Sequence, residues 1–116
     1  MSVPKIFESE YRFCLILWEQ GPIRSMELAK LCKDRLGWSK TTTYTGIKRL
    51  GHRGILKNEN SVVMPLISKE EAQLGELEEL MEKKFEGSLP AFIAAFGRRQ
   101  ALTPEQIAEI RRIIED

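Results

Sequence analysis

The stretch from Trp38 to Leu56, WSKTTTYTGIKRLGHRGIL, constrains this chain more than any other. Ser39 carries the short hydroxyl that accepts a backbone N–H at a helix start, and Gly54 suits the left-handed turn that closes one. A helix is predicted between them. At about 100° per residue, Thr43, Ile47 and Leu50 share one narrow face, while Thr41, Thr42, Thr45, Lys48, Arg49 and His52 spread over the opposite one. From Arg35 to Asn58 the bases are Arg35, Lys40, Lys48, Arg49, Arg53 and Lys57, without one Asp or Glu. Hydroxyls at a helix start can meet base edges or phosphates, and bases behind them can neutralise phosphates. A solvated basic face is the plainer alternative, and the flanking segments weigh between the two.

Phe7, Tyr11, Cys14, Leu15 and Trp18 recur at helical spacing, which predicts a first helix over Glu8–Gln20, ended by Gly21-Pro22. Ile23-Arg24 is long enough for one edge rung of a small sheet. Ser25 reads as the N-cap of a second helix reaching Leu36, with Leu28, Leu31, Cys32 and Leu36 as its apolar side, and Gly37 stops it. After Gly54, Ile55–Lys57 and Val62–Ile67 flank the polar turn Asn58-Glu59-Asn60-Ser61, a short hairpin. Pro65 lacks a ladder donor, so its strand is expected at an edge or to end early. Helix, short strand, helix, helix and hairpin make a winged helix-turn-helix, in which the third helix is the recognition helix and the hairpin the wing. With Lys57 as its one base, the wing is expected to contact DNA weakly.

The remaining residues are helical in pattern. Ser68-Lys69-Glu70-Glu71 fits a capping box. Leu74, Leu77, Leu80, Met81 and Phe85 then follow a spacing of three and four. Gly87-Ser88 interrupts, Leu89–Phe96 with Pro90 reads as a short apolar helix, and Gly97–Ala101 as a basic loop. Thr103-Pro104-Glu105-Gln106 starts a last helix striped by Ile107, Ile110, Ile113 and Ile114. So few residues cannot bury so many apolar side chains alone. Pairing with a second copy is the expected remedy, through Leu74, Leu77, Leu80, Met81, Phe85, Phe92, Ile93, Phe96, Ile107, Ile110 and Ile114; folding back onto the first domain is the alternative. The fold class is therefore mainly α with a small β-hairpin: a winged-helix DNA-binding domain over residues 1–68 and a helical dimerisation domain over 69–116.

Charge follows the same division. Residues 1–68 carry 11 Lys+Arg against 6 Asp+Glu, a net of +5, whereas 69–116 carry 7 against 11, a net of −4. The chain's total of +1 conceals a basic half suited to a polyanion. No apolar run approaches the roughly 18 residues that span a bilayer, and MSVPKIFESEY has no signal-peptide pattern, so a cytoplasmic protein is expected. Cys14 and Cys32 lie far apart among apolar neighbours and His52 is the one histidine. Buried thiols are expected rather than a metal site, and no cofactor. There is no Ser/His/Asp grouping, Gly-rich phosphate loop or apolar pair of carboxylates, so an enzyme is not expected.

At this point WSKTTTYTGIKRLGHRGIL, a short hairpin and PLISKEEA resemble the penicillinase repressor (BlaI/MecI) family of bacterial transcriptional repressors. Its pattern W-S-x-x-T-x-x-T-x-x-x-R-L-x-x-x-G-x-L is met by Trp38, Ser39, Thr42, Thr45, Arg49, Leu50, Gly54 and Leu56. EYRFCLILW is similar to its first helix and LTPEQI to its last helix start. The resemblance implies a homodimer that binds a palindromic operator in double-stranded DNA and represses genes tied to antibiotics or stress. It also implies release by a membrane sensor protease. The family's Asn-Phe cleavage pair falls here on Ala95-Phe96, with Ala for Asn, which implies a different protease preference or another mode of release. The chain has no cysteine after Cys32 and so lacks the CxC…CxC motif of copper-responsive relatives. Gly46 stands where the family has an apolar residue and Gly51 lies a turn on, which implies a softer recognition helix or a close helix approach at Gly46.

The expected DNA-binding residues are Trp38, Ser39, Lys40, Thr41, Thr42, Tyr44, Thr45, Lys48 and Arg49, with Arg53 as a supporting charge. Core packing competes for Tyr44 and Trp38, and an intradomain salt bridge for Arg49. A winged-helix protein-interaction module without specific DNA binding is the alternative function. It is disfavoured by the acid-free stretch, since such modules do not ordinarily strip the third helix of acids. An activator or small-ligand sensor would keep the DNA contact, but no polar cluster near the C-terminus marks a ligand pocket.

Overall fold

The computed structural model describes residues 3–116; Met1 and Ser2, which open the expected DNA-binding domain, lie outside the described residues. The elements run α1 (Glu8–Gln20), β1 (Ile23–Arg24), α2 (Ser25–Leu36), α3 (Lys40–His52), β2 (Leu56–Glu59), β3 (Val62–Pro65), α4 (Lys69–Phe85), α5 (Leu89–Arg99) and α6 (Pro104–Glu115). Two compact units divide after Leu77, within α4.

The first unit is built around one core. Phe13 and Leu17 of α1, Leu28 and Cys32 of α2, Ile47 and Leu50 of α3, and Ile55, Leu56 and Val63 of the wing region are all buried. Burying each of the larger aliphatic or aromatic side chains contributes about 1.5–3 kcal/mol, the term that offsets the chain entropy of three short helices. The α1 stripe differs from the expected one. Its inner face is Glu10, Phe13, Cys14, Ile16 and Leu17, while Phe7 and Leu15 are exposed. Glu10 is admitted because Arg53 neutralises it from across the core. Tyr11 and Trp18 meet edge to face at 5.6 Å, and Trp18 Nε1–H donates to the Ile67 carbonyl at 2.8 Å.

The sheet order is β1-β3-β2, all antiparallel. Asn60 and Ser61 both have positive φ, the signature of a two-residue type I′ turn whose twist matches the strands. The turn is therefore tighter than the four residues expected. Nor is β3 an edge strand. It lies between β1 and β2, pairing Ile23 with Val63 and Arg24 with Val62. It does end at Pro65, which stands beyond the two-residue β1, so its missing donor leaves no broken rung on that side.

Two helix ends also depart from expectation. Ser25 is the first residue of α2 rather than its cap; Arg24 takes the cap position, and Ser25 N–H donates to the Ser61 carbonyl at 2.9 Å. Residues 97–99 are helical, so the expected basic loop shrinks to the few residues after Arg99. The other caps form as read. Ser68 and Glu71 exchange hydrogen bonds at 2.9 and 3.0 Å, and Thr103 and Gln106 at 2.9 and 3.1 Å. In the second unit Phe85 and Phe92 meet edge to face at 5.4 Å, yet none of the described residues of α5 or α6 is buried. Leu80, Ile93, Phe96, Ile107, Ile113 and Ile114 stay exposed.

Candidate nucleic-acid interface

The recognition helix is held from three sides. Gly37, in the left-handed conformation, closes α2 and turns the chain toward α3. Trp38 then stacks on Phe13, ring centroids 5.6 Å apart and planes within 8°, which anchors the start of α3 to α1. Ser39 caps the helix, its Oγ accepting Thr42 N–H at 3.1 Å and lying 2.9 Å from Thr42 Oγ1. At the far end Arg53 occupies the C-cap and Gly54 follows at φ +77°.

Thr43, Ile47 and Leu50 face inward and are buried. Among the described residues Thr43 Oγ1 meets no partner of hydrogen-bond geometry; the Cys32 thiol beside it is a weak one. Locking that face turns Thr41, Thr42, Thr45, Lys48, Arg49 and His52 to solvent, and all six are exposed. Tyr44 is half-buried against the core, with Lys40 Nζ 5.8 Å from its ring centre. Trp38 is packed likewise, so its ring supports the outward face from behind.

Three of the six bases in the acid-free stretch are neutralised by carboxylates from outside it or at its edge. Arg35 pairs with Glu19 of α1, Lys57 with Glu59 of the same strand, and Arg53 with Glu10 at 2.7 Å. Arg53 is thus an internal strut, not the supporting surface charge that the sequence suggested. Lys40, Lys48 and Arg49 have no ion-pair partner among the described residues. The sequence reading also missed two cations. Lys30 and Lys33 of α2 line a cavity of about 390 Å³ with Ser39 and Lys40, beside the start of α3. Their spacing of three on the side of α2 away from Leu28 and Cys32 was legible; their closeness to Lys40 is a product of the helix crossing. A second cavity, of about 660 Å³ between α3 and the wing, is lined by Lys48, His52, Lys57 and Asn58. Three lysines, Lys30, Lys33 and Lys40, therefore cluster beside the start of α3, and Lys48 borders the cavity on the wing side.

A capped helix with one face locked in a three-helix core, a hydroxyl and cation face turned outward and a type I′ hairpin beside it define a winged helix-turn-helix DNA-binding protein. The penicillinase repressor family model matches residues 6–116, essentially the whole chain. The chain belongs to that family of transcriptional repressors. No curated protein matches it. No described helix is long and apolar enough to cross a membrane.

Proposed function

We propose that the protein represses transcription as a homodimer on a palindromic DNA operator, each protomer laying α3 in the major groove of one half-site. Thr41 and Thr45 read base edges from the first turns, together with Tyr44 and the cap pair Ser39 and Thr42. Lys40, Lys48 and Arg49 hold phosphates, and Lys30 and Lys33 extend that hold along the backbone. Trp38 acts through its stack on Phe13. The wing adds little, because Lys57 is already paired with Glu59. The observation that carries this reading is the split on α3: three residues sealed in the core and, opposite them, cations with no ion-pair partner among the described residues.

Residues 1–68 form the DNA-binding domain in this proposal and 69–116 the dimerisation domain. The exposed Leu74, Leu77, Leu80, Ile93, Phe96, Ile107 and Ile114, with half-buried Met81, Phe85, Phe92 and Ile110, supply the apolar area that a second copy covers. An antibiotic- or stress-linked signal releases the operator. If a membrane sensor protease is the agent, Ala95-Phe96 is the matching bond; it lies inside α5, so cutting follows local unfolding of that helix.

The test is fluorescence anisotropy of the full chain on a duplex from upstream of its own gene and on a scrambled duplex. Preferential binding with two chains per duplex supports the proposal. No binding to either duplex at low salt would sink it and leave the protein-interaction module.

A further inference from the structure

The residues before α1 do more than lead into it. Ile6 is buried in the core, and Val3 lies against α4, where a Cβ built on Gly75 would come within 3.2 Å of Val3 Cβ. Between those anchors the Lys5 carbonyl accepts a hydrogen bond from Arg53 Nη2. The Phe7 ring lies 5.1 Å from the same guanidinium, and Phe7 N–H donates to Glu10 Oε1 at 3.0 Å. Glu10 in turn accepts from Arg53 Nη1 with both oxygens, at 2.7 and 2.8 Å. Arg53 is the C-cap of α3. One guanidinium thus ties the end of the recognition helix to residues 5–10. Alongside lies a cavity of about 600 Å³ lined by Lys5, Phe7, Tyr11, Gln73 and Glu76.

We infer that residues 3–7 form a strap that positions the recognition helix through Arg53, and that Gly75 is the seat on which the strap lies. Arg53, Val3 and Gly75 are positioning residues: none faces the proposed DNA surface, yet each sets where α3 sits. The inference rests on the operator-binding reading above. Its physical basis is that Arg53 spends its donors on a buried carboxylate and a strap carbonyl. Moving the strap breaks the carbonyl contact and loosens the last turn of α3, which carries Arg49 and follows Lys48. A Cβ at position 75 requires Val3 to give by a few tenths of an ångström.

The experiment compares the parent, Gly75→Leu and Gly75→Leu with Val3→Gly, all as the full chain and at a temperature where circular dichroism shows each folded. Replacing a helical glycine raises helix propensity by up to about 1 kcal/mol. A role for the Val3 contact in stability alone predicts a shifted melting temperature with operator affinity and amide exchange at residues 53–55 unchanged. The strap predicts about a tenfold weaker operator affinity for Gly75→Leu, in the range of ordinary coupling between sites. It also predicts an unchanged salt slope, faster amide exchange at residues 53–55, and recovery of both in the double variant. Should Gly75→Leu fail to fold, Arg53→Lys, which keeps the charge but loses the fork, is read the same way without the rescue arm. Parent-like affinity and exchange in a folded Gly75→Leu, or weakening that Val3→Gly does not relieve, overturns the strap. A parent chain that binds no duplex overturns the operator reading instead.

Discussion

Charge pairing within the fold predicts which bases control the salt dependence of DNA binding. Lys48→Ala with Arg49→Ala removes two cations that face solvent with no ion-pair partner among the described residues. In a homodimer that is four charges per operator. Each phosphate contact contributes about −0.9 to the slope of log K against log salt, so the double substitution flattens the slope by about 3.6. Between about 50 and 200 mM salt the variant then loses roughly 150-fold less affinity than its parent. Arg35→Ala and Lys57→Ala remove bases already neutralised by Glu19 and Glu59, and the slope stays close to the parent's in each. Anisotropy titrations over a series of KCl concentrations give all four slopes. A slope that falls as far for Arg35→Ala or Lys57→Ala as for the double variant refutes the reasoning from pairing, and an unchanged slope in the double refutes the phosphate contacts themselves.

Three further outcomes are expected. At Gly46 a Cβ would sit 3.5 Å from Trp38 Cζ3, an ordinary contact, so Gly46→Ala stabilises the chain by up to about 1 kcal/mol and raises its melting temperature. A lower melting temperature would mean that the Trp38–Phe13 stack cannot accommodate a methyl group. Ile93→Asp with Ile107→Asp puts carboxylates on two exposed apolar positions and converts a dimer to a monomer in sedimentation equilibrium; a persisting dimer would place its interface elsewhere. Burial first, then the nearby Glu10 carboxylate, pushes the Cys14 thiol up to about 12 from its usual 9.0, with Arg53 opposing. The folded state then keeps a proton that the unfolded chain releases, so this contribution is intact below pH 9.0 and is lost as pH rises toward 12. Cys14→Ala therefore shows a shallower alkaline fall in melting temperature than the parent, and parallel curves would count against the shift.

Recovering so much of the fold from the chain alone has a local cause. The caps at Ser39, Ser68 and Thr103 are contacts between residues three apart, so sequence spacing carries them directly. The Thr43, Ile47 and Leu50 stripe is equally local, because helical periodicity decides which side chains share a face. The misreadings arise where a distant group intervenes. The expected α1 stripe left out Glu10, which Arg53, 43 residues on, neutralises in the core. Pro65 left open an edge strand or an early end, and it is the early end that holds: β3 stops there, beyond the reach of the two-residue β1.

The same division runs through the proposed DNA surface. Local pattern determined that α3 is an acid-free helix with hydroxyls on its outer side, because turn chemistry and a 3.6-residue period act over a few positions. Tertiary packing decided that Arg35 and Arg53, which flank α3 in the acid-free stretch, are already paired. Coulombic pairing and steric contact depend on distance in space, and folding brings Glu19 to Arg35, Glu10 to Arg53 and two lysines of α2 beside Lys40.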